Sequence, residues 1–334
     1  PENVLAFATR LNVTHGNYTF YSEYAYKYND PSKVNSTSLS PYGIYKEGQA
    51  LYLNGAYSKK GMGISLSAKY IDNMSFRSDR DATGNDLSLS YLPAHTRQQT
   101  YRLATIYPYA TQPNGEVGFQ GEIFYNFKQG SALGGKNGTY VSLNYSRASG
   151  LDTTNLNSDL GYESSFFMPG DELYFEEVNV EVQKKVTKNF KLLATYIYTL
   201  YDKGVILGLG DKYGKVYSHT GIIEGQLKIN KTNSMRFELQ HLMTGQDKKN
   251  WAMALVEYNI SPHWFFAAFD EYNYGNDEKD LRIHYPNVSM GYTKGANRIT
   301  MGYGKQREGL LCVGGVCRNV PASNGFAVSV TSSF

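Results

Sequence analysis

Residues 173–186 read LYFEEVNVEVQKKV, and this stretch decides the fold. Val178, Val180 and Val182 fall on one side of an extended chain, while Glu177, Asn179, Glu181, Gln183 and Lys185 fall on the other. Side chains alternate with period two along a strand, whereas a helix repeats its apolar positions every three or four residues, so this is a strand with one apolar and one charged face. After a break at Thr187 to Asn189 the pattern returns, with Phe190, Leu192, Ala194, Tyr196 and Tyr198 opposite Lys191, Thr195 and Thr199. Further along the chain, Val117, Phe119, Ile123, Tyr125 and Phe127 oppose Gln120, Glu122, Asn126 and Lys128, and Met235, Phe237 and Leu239 oppose Arg236, Glu238 and Gln240. Each segment runs for about 10 residues, the length a tilted strand needs to cross a bilayer.

Composition agrees with that reading. The chain has 30 Tyr and 16 Phe, which suit pleated strands and, for tyrosine, a surface that is apolar along the ring and wet at the hydroxyl. No apolar run approaches the ~20 residues of a membrane helix, and mean hydropathy is negative. Neither fact bears on a barrel, because only every second strand residue would face lipid. The balance of 33 basic and 30 acidic residues, a net charge of +3, gives no reason to expect a nucleic-acid partner. An export signal is expected to have been removed or to lie upstream of Pro1, since the chain opens without one.

The links between strands sort into two classes. Short turns occur at Thr14 to Gly16, Lys59 to Gly61, Thr187 to Asn189, Asn230 to Asn233, Ser261 to His263 and Lys294 to Asn297. Long polar or Gly-rich links lie at 29–47, 73–115, 148–171, 202–217, 274–286 and 307–324. A soluble β-protein, such as a carbohydrate-binding module, has no reason to alternate them, whereas a membrane barrel puts short turns in the periplasm and long loops outside. Phe326, Val328, Val330, Ser332 and Phe334 share one parity, and this ending resembles the terminal aromatic signal of outer-membrane proteins. The expectation is an all-β fold: a single domain over 1–334 forming a transmembrane antiparallel up-and-down β-barrel in a bacterial outer membrane.

Parity sharpens this. Counting back from Phe334, the sides stay consistent only if 73–115 is one large link, extracellular or folded inward, and 101–110 within it is not a spanning strand. That leaves about fifteen recognisable strands where single-chain barrels have an even number. The expectation is therefore about 16 strands, with 14 as the alternative, and an N-terminal portion outside this sequence.

Four stretches, Glu23 to Ser32 (EYAYKYNDPS), Tyr45 to Gly63 (YKEGQALYLNGAYSKKGMG), Tyr91 to Glu116 (YLPAHTRQQTYRLATIYPYATQPNGE) and Gly309 to Gly325 (GLLCVGGVCRNVPASNG), resemble an uncharacterised family of Bacteroidota outer-membrane β-barrel proteins. The resemblance implies location and fold and assigns no activity.

Candidate functional residues follow from the faces and the links. The inward face is expected to carry Glu122, Lys128, Glu177, Glu181, Lys185, Glu224, Lys228, Arg236, Glu238 and Arg298, with both signs interspersed. Selective pores concentrate one sign, so mixed rows point to a self-neutralised, filled interior or a weakly selective channel. The 73–115 link has the length of a lid or docking surface, and its Arg97, Tyr101, Arg102, Tyr107 and Tyr109 have the composition of an interface or constriction. Cys312 and Cys317, close together in a Gly-rich link placed outside the cell, are expected to form a disulfide.

No catalytic, cofactor or metal site is expected. The six histidines are scattered without paired-ligand spacing, and neither His95 near Arg97 nor Asp270 beside Glu271 makes a convincing base with an oriented partner. Gly208, Gly210 and Gly214 miss dinucleotide spacing by one residue. The protein is thus expected not to be an enzyme. Its expected partners are membrane lipids and lipopolysaccharide, with a lipoprotein or another outer-membrane protein docked through the long loops; a porin-like channel for small solutes is the alternative.

Overall fold

The computed structural model describes residues 5–28, 44–75, 87, 92–156, 161–210 and 213–333. Strands dominate it: β1 (Leu5–His15), β2 (Tyr18–Tyr28), β3 (Gly48–Lys59), β4 (Met62–Asp72), β5 (Gly115–Phe127), β6 (Thr139–Asn155), β7 (Tyr162–Lys185), β8 (Phe190–Asp202), β9 (Lys215–Lys228), β10 (Asn233–Thr244), β11 (Trp251–Ile260), β12 (Trp264–Tyr272), β13 (Asn287–Lys294), β14 (Asn297–Gln306), β15 (Gly309–Val313), β16 (Val316–Val320) and β17 (Ser323–Ser332). Fifteen of them form one up-and-down antiparallel sheet in chain order, with β17 following β14 and with β1 and β17 at its edges. β15 and β16 form a separate hairpin. The sixteenth strand that parity calls for is not among the described residues, and Phe334 lies outside them.

Register turns the alternation in the sequence into two faces. Across neighbouring strands, Val141 pairs with Val182, Val182 with Ala194, Ala194 with Ile223, Ile223 with Leu239, and Leu239 with Ala254. One step away Ser142, Glu181, Thr195, Ile222, Gln240 and Met253 are matched in the same way. The first row is on the outer face, where Ile223 is 48% and Leu239 54% exposed. The second is on the inner face, where Ser142, Thr195, Ile222, Gln240 and Met253 are buried. A row of exposed aliphatic side chains is costly in water, at about 1.5–3 kcal/mol for each large residue that could be buried instead.

The inner face is covered. Residues 92–114 run across it, and β15–β16 folds onto it, so that Leu103, Tyr107 and Tyr109 pack with Phe175, Tyr201, Leu242, Trp251, Phe265, Phe269, Leu311 and Val313 in the main apolar cluster. Residues 101–110 form no strand; a short 3-10 turn at Leu103–Thr105 sits there instead, as parity requires.

Two links differ from their reading as loops. The 148–171 link is mostly strand, because β6 and β7 continue their pairing past the rest of the sheet, through register shifts after Ala148, as far as Asn155 opposite Tyr162. The 307–324 link is a β-hairpin turned inward, not an outer loop. Gly314 and Gly315, with φ of 58° and 72°, supply the left-handed turn that a two-residue hairpin needs between Val313 and Val316. The expected disulfide is present: Cys312 and Cys317 face each other across this hairpin and are bonded.

Candidate functional site

The inner segment is fixed first where it leaves and rejoins the sheet. Lys69 on β4 and Glu116 on β5 form an ion pair at 2.7 Å, both side chains fully buried. Lys69 also donates to the Pro93 carbonyl and the Thr111 hydroxyl, each at 2.9 Å, while Glu116 accepts from the Gln112 amide at 2.7 Å and from the Tyr109 hydroxyl. A buried ion pair is tolerable only when its remaining polar atoms are satisfied, and the segment's own backbone and hydroxyls satisfy these. A Cβ on Gly118 would sit 3.1 Å from His95 Nδ1, so the absence of a side chain there lets the segment lie flat on β5.

Past His95 the segment crosses the interior, and its polar groups meet wall groups from β6 and β7 through to β12. Arg97 pairs with Glu181 at 2.8 Å and donates to Ser142 and Asn179. Gln99 reaches Glu177, Tyr101 donates to Glu224 at 3.3 Å, and the Leu103 amide donates to Gln240 at 2.7 Å. Arg102 Nε meets Glu271 on β12 at 2.5 Å, and Arg307 Nε meets the other oxygen of the same carboxylate at 2.8 Å. Arg102 also donates to the carbonyls of Arg307 and Leu310, joining the segment to the inward hairpin. Tyr107 ends the crossing with a hydrogen bond to Asp247 at 3.3 Å. Desolvation pushes the Arg102 pKa down, and it pushes the Tyr107 and Tyr109 hydroxyls up, with Asp247 and Glu116 adding to the respective shifts.

The hairpin closes a second region. Arg236 contacts Glu238 at 2.6 Å, Glu224 at 3.4 Å and Glu257 at 3.6 Å, and donates to the Cys312 carbonyl. The Gly314 amide donates to Glu257 at 2.8 Å, and Arg298 donates to the Gly314 and Val313 carbonyls.

Of the residues singled out in the sequence, Arg97, Tyr101, Arg102, Tyr107 and Tyr109 thus lie together inside the sheet, with Arg102, Tyr107 and Tyr109 buried. Glu177, Glu181, Glu224, Arg236, Glu238 and Arg298 are the wall groups that receive them or the hairpin. Glu122 is half-buried and makes no ion pair among the described residues, and Lys128, Lys185 and Lys228 lie elsewhere, at the short-turn end. The signs are therefore less interspersed than the sequence suggests. Carboxylates at mid-height are matched by arginines, and lysines collect at one end. Alternation also separates Asp270 from Glu271: Asp270 faces outward to His284 at 2.7 Å, and Glu271 faces inward. Sequence reasoning missed Glu116, Glu271 and Arg307 as anchors. Glu271 shares its parity with the apolar Phe265, Ala267 and Phe269, and a lone carboxylate among them was the available signal.

The burial of His95 makes docking of the segment expected to depend on pH. Burial, and then the nearby Lys69 charge, lower its pKa from 6.5 to about 3, and neither ring nitrogen has a hydrogen-bond partner among the described residues. A histidine held neutral when docked and free to protonate when released stabilises docking fully above its free pKa, and that stabilisation is lost as pH falls from about 6.5 towards 3. Between pH 7 and pH 5 the expected loss is about 2 kcal/mol. Amide exchange over 92–112, corrected for intrinsic rates, should quicken at pH 5 in the wild type and much less in His95→Leu. Equal exchange at the two pH values would show that His95 does not govern docking.

Comparison with known proteins adds the following. No curated protein matches the chain. Among solved structures it is similar to a triple mutant of the Rhodopseudomonas blastica porin, at 11% identity over 98% of this chain and 88% of that one, with a TM-score of 0.38. It is also similar to the siderophore receptor PirA from Acinetobacter baumannii, at 10% identity over 98% of this chain and 56% of that one, with a TM-score of 0.39. A family model described as a family of unknown function, DUF6029, matches residues 1–334, and the chain belongs to that family.

Proposed function

We propose that this protein is a bacterial outer-membrane β-barrel closed by its own inner segment, acting as a structural or accessory component that docks a lipoprotein or another outer-membrane protein. It is not an enzyme in this reading. The observation that carries it is the crossing of the interior by residues 92–114, whose contacts run from Glu181 on β7 through Glu224 on β9 and Gln240 on β10 to Glu271 on β12. Contacts to so many strands need a sheet that curls around the segment, and exposed aliphatic residues on its other face suit lipid. The sequence resemblance to Bacteroidota outer-membrane barrels supports the same location.

The segment's arginines are spent on the barrel's own carboxylates, so docking falls to the β6–β7 ribbon, whose far end is held on β4 by Tyr162 and Ser164 at Asp72 and leaves Phe166 and Met168 each 55% exposed. A gated channel is the second reading, favoured by the polar character of the contacts that hold the segment. Extraction in mild detergent, with identification of everything retained, tests the choice. A defined partner that is lost from Phe166→Ser/Met168→Ser supports the accessory reading. A lone barrel that conducts in planar bilayers overturns it.

A further inference from the structure

Below the inner segment, at the short-turn end, the interior opens into a chamber of about 1110 Å³. Lys60, Lys128, Lys185, Lys188, Lys191 and Lys228 line it, from the β3–β4 turn, the β5 end, the β7–β8 hairpin and the β9 end. Among the described residues Arg236 is the only other cation in the lining and Glu257 the only carboxylate. These two are matched to each other at 3.6 Å, and Glu257 also accepts from the Gly314 amide. None of the six lysines has a carboxylate partner among the described residues, in contrast to the paired arginines above them. Amide and hydroxyl groups of Gln129, Asn137, Thr139, Gln183, Gln226 and Asn259 lie among them.

Unbalanced charge of one sign gathered around one opening attracts counter-ions, and because five of the six lysines are exposed to solvent the attraction is strongest at low salt. Lysines spaced around a circumference suit a ligand with several charged oxygens better than a single ion, since each ammonium is a separate point charge on a flexible stem. The chamber is at the upper end of the size of small-molecule pockets. We propose that it binds a small solute bearing two or more oxyanion groups, phosphate or carboxylate, which enters from the short-turn side. The site is intact whether or not the barrel conducts, so its failure leaves the closed-barrel reading untouched.

The test is calorimetric titration of the detergent-solubilised full chain with tripolyphosphate and, separately, citrate at about 20 mM salt. The expected result is saturable binding of at least one probe, weakened by added salt and weakened about tenfold or more in Lys128→Gln/Lys185→Gln/Lys228→Gln. Tripolyphosphate alone would identify a phosphate site, and citrate alone a carboxylate site. The Lys→Arg counterpart at the same three positions should retain binding. If the glutamine variant does not fold, Lys60→Gln/Lys188→Gln, confined to the turns, replaces it. No binding of either probe, or equal binding by wild type and a folded glutamine variant, overturns the proposal.

Discussion

Excision of residues 93–111, with the ends joined by a short Gly-Ser linker, is expected to raise single-channel conductance at least about tenfold over the intact protein. Among the described residues the interior is bridged where Arg97 meets Glu181, the Leu103 amide meets Gln240 and Arg102 meets Glu271. Removing the segment leaves Glu177, Glu181, Glu224 and Glu271 lining a hydrated passage, and barrels of about sixteen strands are wide enough to hold water once nothing fills them. The new current should favour cations near Glu177 and Glu181, because Arg97 goes with the segment, whereas Arg307 stays on Glu271 and Arg236 beside Glu224. An excised, correctly inserted barrel that stays silent would show that the hairpin and the wall aromatics Tyr201 and Trp251 form the barrier unaided.

Glu271→Ala is expected to have the largest effect of any single substitution, lowering unfolding stability in detergent by roughly 3–5 kcal/mol. The carboxylate is fully buried and receives Arg102 on one oxygen and Arg307 on the other. Without it, two guanidinium groups are left facing each other in the interior, and that residual repulsion costs more than the pair itself contributes. Glu271→Gln keeps the shape and some hydrogen bonding and should lose less. Urea midpoints followed by tryptophan fluorescence give the comparison, since Trp251 lies under Arg307. Equal midpoints for Glu271→Ala and wild type would mean that the arginines find other partners or water.

The outline of this fold is written in the sequence because period two is local. Val178, Val180 and Val182 declare the outer face of β7 without reference to any other strand, and Phe326, Val328 and Val330 do the same for β17. Parity among successive links then shows that 101–110 does not span. Contacts between distant segments leave no such trace. Arg102 and Glu271 stand 169 positions apart, and nothing near either residue names the other. The inward turn of β15–β16 is hidden for the same reason, since a Gly-rich link reads as an exposed loop until Arg236 and Glu257 are seen to claim its backbone. The β6–β7 ribbon reads as a loop in the sequence because its far half, from Ser149, shifts register and loses clean alternation.

The clamp at Lys69 and Glu116 gives the inner segment one further property. Both ends of the segment are joined to adjacent strands of the wall, so a segment that leaves the interior remains a tethered ligand for the surface it has left. Its effective concentration there is set by the tether and is of millimolar order for a short flexible link. A solute or partner that opens the interior therefore competes against an intramolecular rival that dilution cannot remove, and reclosure after its departure is fast and independent of protein concentration.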